Sequence, residues 1–364
     1  METNALFLQL LRVALTGGGK LSRTPSSEEW EEILNACVKQ SVVGVGFCGV
    51  EMLPKEQMPP LDMIMDWSAV VSHIEEENRK LNALCVKVSE IFQQEKIRAC
   101  ILKGQGMGTL YESPLRRMSG DIDVWMEGGK EHIVDYFTRN FKEVKGEDGD
   151  HHVSVTLKGG VPMEVHWVPV AMYSPKNNKV FGEWMKTVEA AQWGNKVALP
   201  EGAGCVYMPN FEFNSVFTLL HLFHHWAFEG CGMKQMLDYF FLLKTNAASG
   251  KWQGASVIHD LGMDGFLSAM MWVMKELGLD DAYLLCAPNE KLGRRLLEDI
   301  LTVGTVSADE LAYGKYSKES KIHKGCRRFM RSMRMLPYAP GEMCWAFINN
   351  VGSWATGKTK EVNS

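Results

Sequence analysis

The chain has 364 residues, 46% of them hydrophobic and 23% charged, with a formal net charge of −5. It is longer than the roughly 250–300 residues one hydrophobic core usually organises, so two or more compact units are expected. The acidic balance argues against a nucleic-acid-coating protein, no run approaches the ~18 apolar residues of a membrane span, and nine scattered cysteines without a CxxC pair suit free thiols in a reducing, cytoplasmic setting.

In chain order, residues 1–95 read as helical. METNALFLQLLRVALTGGGK has a short apolar run with no basic residue before it, a first amphipathic helix rather than a signal peptide. In Pro25-Ser26-Ser27-Glu28-Glu29 a cap serine stands three residues before a glutamate, and Trp30, Ile33, Leu34, Cys37 and Val38 follow at helical spacing. After the breaker PKEQMPP, a periodic segment runs over 64–94, with Glu75, Glu76, Glu77, Arg79 and Lys80 on its polar face.

The period then changes. IRACIL (97–102) reads as a short strand ending in the turn Lys103-Gly104, GQGMGTLY as a short helix stopped near Ser113-Pro114, and DIDVWM as a second strand. A crossover-type helix over 130–141 follows. VSVTL, KGG and VPMEVHW form a predicted hairpin, and a Gly/Pro-bearing loop over 202–209 closes the stretch. From Glu212 helical periodicity returns through about residue 298. A basic stretch over 321–334 reads as a solvated helix face, and the polar TGKTKEVNS is expected to fray. The expected fold class is therefore α+β with an α/β core: a helical region over 1–95, a small mixed-sheet domain over 96–204 and a C-terminal helical region over 205–364.

The informative stretch is LKGQGMGTLYESPLRRMSGDIDVWM. Alternation along a strand puts Asp121 and Asp123 on one face and Ile122 and Val124 on the other. Two carboxylates so close repel unless a cation lies between them, and Mg²⁺ suits hard oxygen donors. In VPMEVHW the same alternation places Glu164 and His166 opposite Met163 and Val165, offering Glu164 as a third ligand or as a base. Lys103-Gly104 at a strand-to-helix turn can hold phosphate oxygens, and Arg116-Arg117 can neutralise a polyphosphate.

Leu102-Lys103-Gly104, Tyr111, Pro114, Arg117, Gly120-Asp121-Ile122-Asp123 and Glu164-Val165-His166-Trp167 together resemble the bacterial uncharacterised nucleotidyltransferase family. That family belongs to the polymerase-β-like superfamily, which includes kanamycin nucleotidyltransferase. The run Glu229-Gly230, Gly232-Met233-Lys234-Gln235 and Leu237-Asp238 is also similar to it, so the resemblance covers about 97–243. It implies transfer of a nucleoside monophosphate from an NTP to an unidentified acceptor hydroxyl, with release of pyrophosphate. Asp121, Asp123 and Glu164 would be catalytic and would hold one or two Mg²⁺ ions, for which Mn²⁺ can substitute. Lys103, Gly104, Gln105 and Arg117 would bind the nucleotide, and His166, Lys234 and Asp238 are candidate substrate contacts. No membrane partner is expected.

Other readings are weaker. GQGMG after a strand, with an aspartate roughly 20 residues on, suggests a dinucleotide fingerprint, but the third glycine of G-x-G-x-x-G is missing. His221, His225 and Glu229 recur on one helix face, yet HLFHH lacks the glutamate of H-E-x-x-H, and helix-packing or polar-face roles are expected for His221, His224 and His225. His151-His152 reads as a loop pair. A noncatalytic nucleotide-binding or protein-interaction module on the same fold is the alternative to an enzyme.

Overall fold

Helix caps and breakers place the first elements. The computed structural model describes residues 2–146, 151–245, 252–304 and 329–356; residues 321–328 of the basic stretch, Cys326 and the polar tail from 357 lie outside them. Helix α1 (Glu2–Thr16) stops at Gly17, Gly18 and Gly19, all with positive φ. Helix α2 (Ser27–Lys39) starts at Ser26, whose hydroxyl accepts the Glu29 N–H at 3.3 Å while the Glu29 carboxylate accepts the Ser26 N–H at 2.9 Å. The capping box read from the sequence thus satisfies two otherwise orphaned donors. Helix α3 (Val43–Met52) packs on α1 and α2. A Cβ on its Gly44 would lie 2.1 Å from the Arg116 carbonyl oxygen, so only glycine permits that approach.

Helix α4 (Leu61–Gln94) has 34 residues and serves two cores. Its first half buries Trp67 and Val71 among the N-terminal helices. Its second half buries Leu81, Cys85, Val88 and Phe92 beneath a sheet.

That sheet has the order β1-β2-β4-β3. Strand β1 (Ala99–Ile101) runs antiparallel to β2 (Ile122–Met126), β2 parallel to β4 (Pro162–His166), and β3 (His152–Thr156) antiparallel to β4. Between β1 and β2 lies the short helix α5 (Gly104–Gly108), and α6 (Gly129–Asn140) makes the crossover after β2. Ile122, Val124, Met163 and Val165 face α4 and α6, where α6 adds Ile133 and Phe137. The expected hairpin turns at Gly159 and Gly160, whose φ values of +89° and +82° suit glycine.

The fold is α+β, a small mixed sheet among helices, as its periodicities indicated. Two features were not anticipated. Helix α7 (Pro175–Val188) is capped by the Ser174 hydroxyl, and the region read as a closing loop forms a hairpin of β5 (Lys196–Ala198) and β6 (Cys205–Tyr207). Three-residue strands are too short to display an alternation.

Helix α8 (Phe211–His224) is buried on nearly every side, continues through a π-turn (His225–Glu229), and is followed by α9 (Met233–Lys244). Helices α10 (Gly254–Asp260), α11 (Asp264–Glu276), α12 (Glu290–Val303) and α13 (Pro340–Thr356) follow, with a helical stretch over 329–335 before α13. Among the described residues no helix is long and apolar enough to cross a membrane. Cys37, Cys48, Cys85, Cys100 and Cys231 are buried free thiols.

Candidate active site

The sheet buries both of its faces at β2, and that sets the site. With Ile122, Val124 and Met126 turned to α4 and α6, Asp123 and Trp125 point the other way, and Trp125 stacks on Phe213 of α8. Parallel pairing sets Asp123 beside Glu164 and Trp125 beside His166. The antiparallel register then sets Ser154 beside Glu164 and His152 beside His166. Carboxylates and imidazoles therefore share one grid over three strands, at the floor of a cleft of about 220 Å³ whose far wall is α8 and α9.

Asp123 is 2% exposed. The Lys103 ammonium lies 3.0 Å from its Oδ1 and the His166 Nε2 lies 3.3 Å from the same oxygen. Burial is the largest single influence and works against its charge, but Lys103 and His166 together overcome it, and the Asp123 carboxyl is held well below the usual range. Burial holds His166 on the neutral side, so it gives Asp123 a hydrogen bond rather than a charge. Burial likewise opposes the charge on Lys103, and Asp123, Asp121 and Glu164 together overcome it, raising its pKa.

Glu164 is half-buried and its pKa is pushed up to about 7, by burial first and by the neighbouring Asp123 second. Asp123, Glu164 and His166 can each bring one donor atom within 4.8 Å of the others. Asp121 sits just before the strand, is exposed, and lines the same cleft. Oxygen donors held this close, with the Lys103 ammonium as the only fixed positive charge against Asp123 among the described residues, fit a hard divalent cation such as Mg²⁺.

Several of the expected site residues have partners within the fold. The Arg117 guanidinium makes a bidentate pair with Asp238, Nε–Oδ1 2.7 Å and Nη2–Oδ2 2.8 Å, and the Tyr111 hydroxyl donates to Asp238 Oδ1 at 2.6 Å. Both Arg117 and Asp238 line the cleft, but each one's charge is already matched by the other. Arg116 turns away from the cleft to Glu51 and Glu75 on α3 and α4. The Gln105 amide donates to Asn82 Oδ1 at 2.7 Å and Asn78 Oδ1 at 3.2 Å, and Asn78 donates to the Leu115 and Arg117 carbonyls at 2.7 Å. Gln105 is not among the cleft-lining residues; it braces the turn that carries Arg117. His166 is 2% exposed and absent from the lining too, so it reaches the cleft through Asp123.

Lys234 behaves differently. It lines the cleft, burial lowers its pKa, and among the described residues its ammonium has no carboxylate in ion-pair range. A half-buried cation without an ion-pair partner among the described residues leaves its charge turned to the cleft. Gly104, with φ +54°, sits on the cleft where α5 begins, and α5 has only five residues, so it adds little dipole.

The α8 histidines are more than packing residues. His221 Nε2 lies 3.1 Å from the Lys103 ammonium and 2.8 Å from His225 Nε2, and His225 Nδ1 lies 2.6 Å from Glu229. A row of contacts thus runs from Asp123 through Lys103 to Glu229. Sequence reasoning also missed Thr218 and Leu222 on the cleft wall, and His152, whose Nε2 lies 3.9 Å from Glu164. The hairpin turn at Gly159-Gly160 was the available signal for His152, because it fixes the pairing across β3 and β4.

Comparison with known proteins follows this geometry. The pattern of the family described as "Uncharacterised nucleotidyltransferase" matches residues 26–278, a wider span than the 97–243 that carries the resemblance in sequence. No curated protein sequence matches significantly. Similar solved chains include an antigenic nucleotidyltransferase-like protein from Paracoccidioides brasiliensis, at 14% identity and TM-score 0.34, covering 59% of this chain and 96% of that one. The Thermotoga maritima CCA-adding enzyme complexed with tRNA is similar at 14% identity and TM-score 0.26, covering 81% of this chain and 70% of that one. A CCA-adding enzyme in complex with ATP is similar at 12% identity and TM-score 0.26, covering 80% and 69%. Likenesses this loose carry no argument about the site.

Proposed function

The chain belongs to the uncharacterised nucleotidyltransferase family, and from that premise we propose that it transfers a nucleoside monophosphate from an NTP to the hydroxyl of a small-molecule, sugar or protein acceptor. By the same resemblance we place it in the polymerase-β-like superfamily. The observation that carries the reading is the lateral pairing of Asp123 with Glu164 beneath a cleft that Asp121, Lys103 and Lys234 also line.

In this proposal the acceptor O–H breaks as its oxygen bonds the α-phosphorus, the bond to the β-phosphate oxygen breaks, and pyrophosphate leaves. Asp121, Asp123 and Glu164 would hold Mg²⁺, which neutralises the triphosphate and acidifies the acceptor hydroxyl when bound. By the same resemblance Glu164 would also take the acceptor proton. Lys234 and the Gly104 backbone hold phosphate oxygens, and Lys103 moves its charge from Asp123 to the phosphates as the site fills. His166 keeps Asp123 oriented.

The test is thermal melting with Mg²⁺ and each NTP in turn, followed by pyrophosphate detection across an acceptor panel. A melting rise with Mg²⁺ plus one NTP, absent without the metal, is expected. No rise with any NTP would end the proposal. A rise without pyrophosphate release from any acceptor would leave a nucleotide-binding module on this fold.

Acidity supplies a second check. The Glu164 carboxyl must lose its proton to bind a cation, so Mg²⁺ affinity is expected to climb roughly tenfold between pH 6 and pH 8. In the metal-free protein the sign reverses. A carboxyl whose folded pKa is raised from 4.5 to about 7 contributes stability below pH 4.5 and loses it as pH rises through 7. Calorimetric Mg²⁺ titrations at both pH values read this. A flat wild-type profile, or the same slope in Glu164→Gln, would remove Glu164 from the cation site.

A further inference from the structure

Three buried imidazoles stand beside the carboxylates, and the transferase reading does not require them as a group. His151 and His152, at the start of β3, and His166, at the end of β4, have ring centroids 5.2, 5.3 and 5.0 Å apart. Each can bring one ring nitrogen within 4.8 Å of those of the other two. They are 5%, 8% and 2% exposed.

An ordinary core does not gather rings in this way. A neutral imidazole has one N–H and one lone pair, and both want partners when buried. Among the described residues, Nδ1 of His151 and Nδ1 of His166 have no hydrogen-bond partner. His166 commits its Nε2 to Asp123 at 3.3 Å. A ring held by a carboxylate through one nitrogen, with the other unmatched, has the arrangement of a metal-ligating histidine and its outer partner.

We propose that His151, His152 and His166 form a site for a divalent transition ion of the zinc class, distinct from the oxygen-donor Mg²⁺ site and joined to it through His166. Imidazole nitrogens favour such ions over Mg²⁺. Tetrahedral Zn–N bonds of ~2.0–2.1 Å put neighbouring nitrogens roughly 3.3 Å apart, so small ring rotations close the triangle. Three protein nitrogens leave a fourth position open, as in zinc sites that keep an exchangeable ligand. An ion so placed fixes His166 and, through its 3.3 Å contact, the Asp123 carboxylate.

The experiment titrates metal-stripped, full-length protein with Co²⁺, read by visible absorption, and with Zn²⁺ against a chromophoric chelator. One equivalent of each is expected to bind, with Co²⁺ bands of a nitrogen-ligated ion. Affinity should fall at least about tenfold in His151→Ala and in His152→Ala, and stay within about twofold in Asp121→Asn, whose carboxylate belongs to the other site. Absence of a Co²⁺ band in the wild-type protein overturns the proposal whatever the variants do. So does unchanged affinity in both histidine variants, or an equal loss in Asp121→Asn. Melting with Mg²⁺ plus NTP reads the transferase proposal separately: failure there with Co²⁺ bound normally leaves the histidine site standing.

Discussion

Asp123→Asn is expected to abolish the melting rise produced by Mg²⁺ plus NTP and, with an acceptor in hand, to lower turnover by on the order of 10³-fold. The substitution keeps shape and hydrogen-bonding capacity and deletes only the charge. That charge is the counter-ion of the Lys103 ammonium at 3.0 Å and the acceptor for His166 at 3.3 Å. In the register of β2 and β4 it is also the neighbour of Glu164. Without it, a cation on the sheet would meet Glu164 and the exposed Asp121 alone. Lys103 still has Asp121 and Glu164 nearby, so the chain is expected to remain folded. Circular dichroism of the variant checks the fold, and pyrophosphate release checks the rate. Turnover within tenfold of wild type, in a folded variant, would move the chemistry away from this grid.

The second large effect concerns stability. Asp238→Ala is expected to cost about 3–5 kcal/mol, because it strands a buried guanidinium. Arg117 and Asp238 side chains are 5% and 10% exposed, and the two parallel hydrogen bonds between them would be lost together. The Tyr111 hydroxyl loses its acceptor as well. In melting this amounts to a drop on the order of 10 °C. The double variant Arg117→Met/Asp238→Leu is expected to recover much of the loss, since apolar side chains of similar volume avoid the desolvation that the pair had to overcome. Urea unfolding decides the matter. A loss under about 1 kcal/mol for Asp238→Ala would show that Arg117 is not committed to this pair and is available to a phosphate, as the sequence suggested.

How far the sequence could be read depended on the range of the signal. The Ser26–Glu29 box, the stop of α1 at three glycines and the Gly159-Gly160 turn are interactions among residues a few positions apart. The placing of Asp123 and Glu164 on one face needed only the alternation of a strand, once each strand had been recognised. β5 and β6 escaped because three residues carry no period. Gln105 was read as nucleotide-binding by resemblance, and Arg116 and Arg117 as neutralising a polyphosphate because they stand close in sequence to the acidic strand. Their actual partners lie 23, 41 and 121 positions away, on α4 and α9.

His221 shows the same limit from the other side. Its neighbours in sequence are apolar helix residues, and what makes it part of the cleft is Lys103, 118 positions earlier. Lys234 gained importance only when folding left its ammonium facing the cleft while Arg117 was taken by Asp238.

Apart from α7, β5 and β6, the sequence by itself determined the main elements and the side from which each side chain leaves its strand, because caps, turns and alternation are governed by local sterics and hydrogen bonding. Only the tertiary structure decided which charge faces which. A buried ion takes whichever counter-ion the packing of distant helices brings within about 3 Å, and no local pattern encodes that choice.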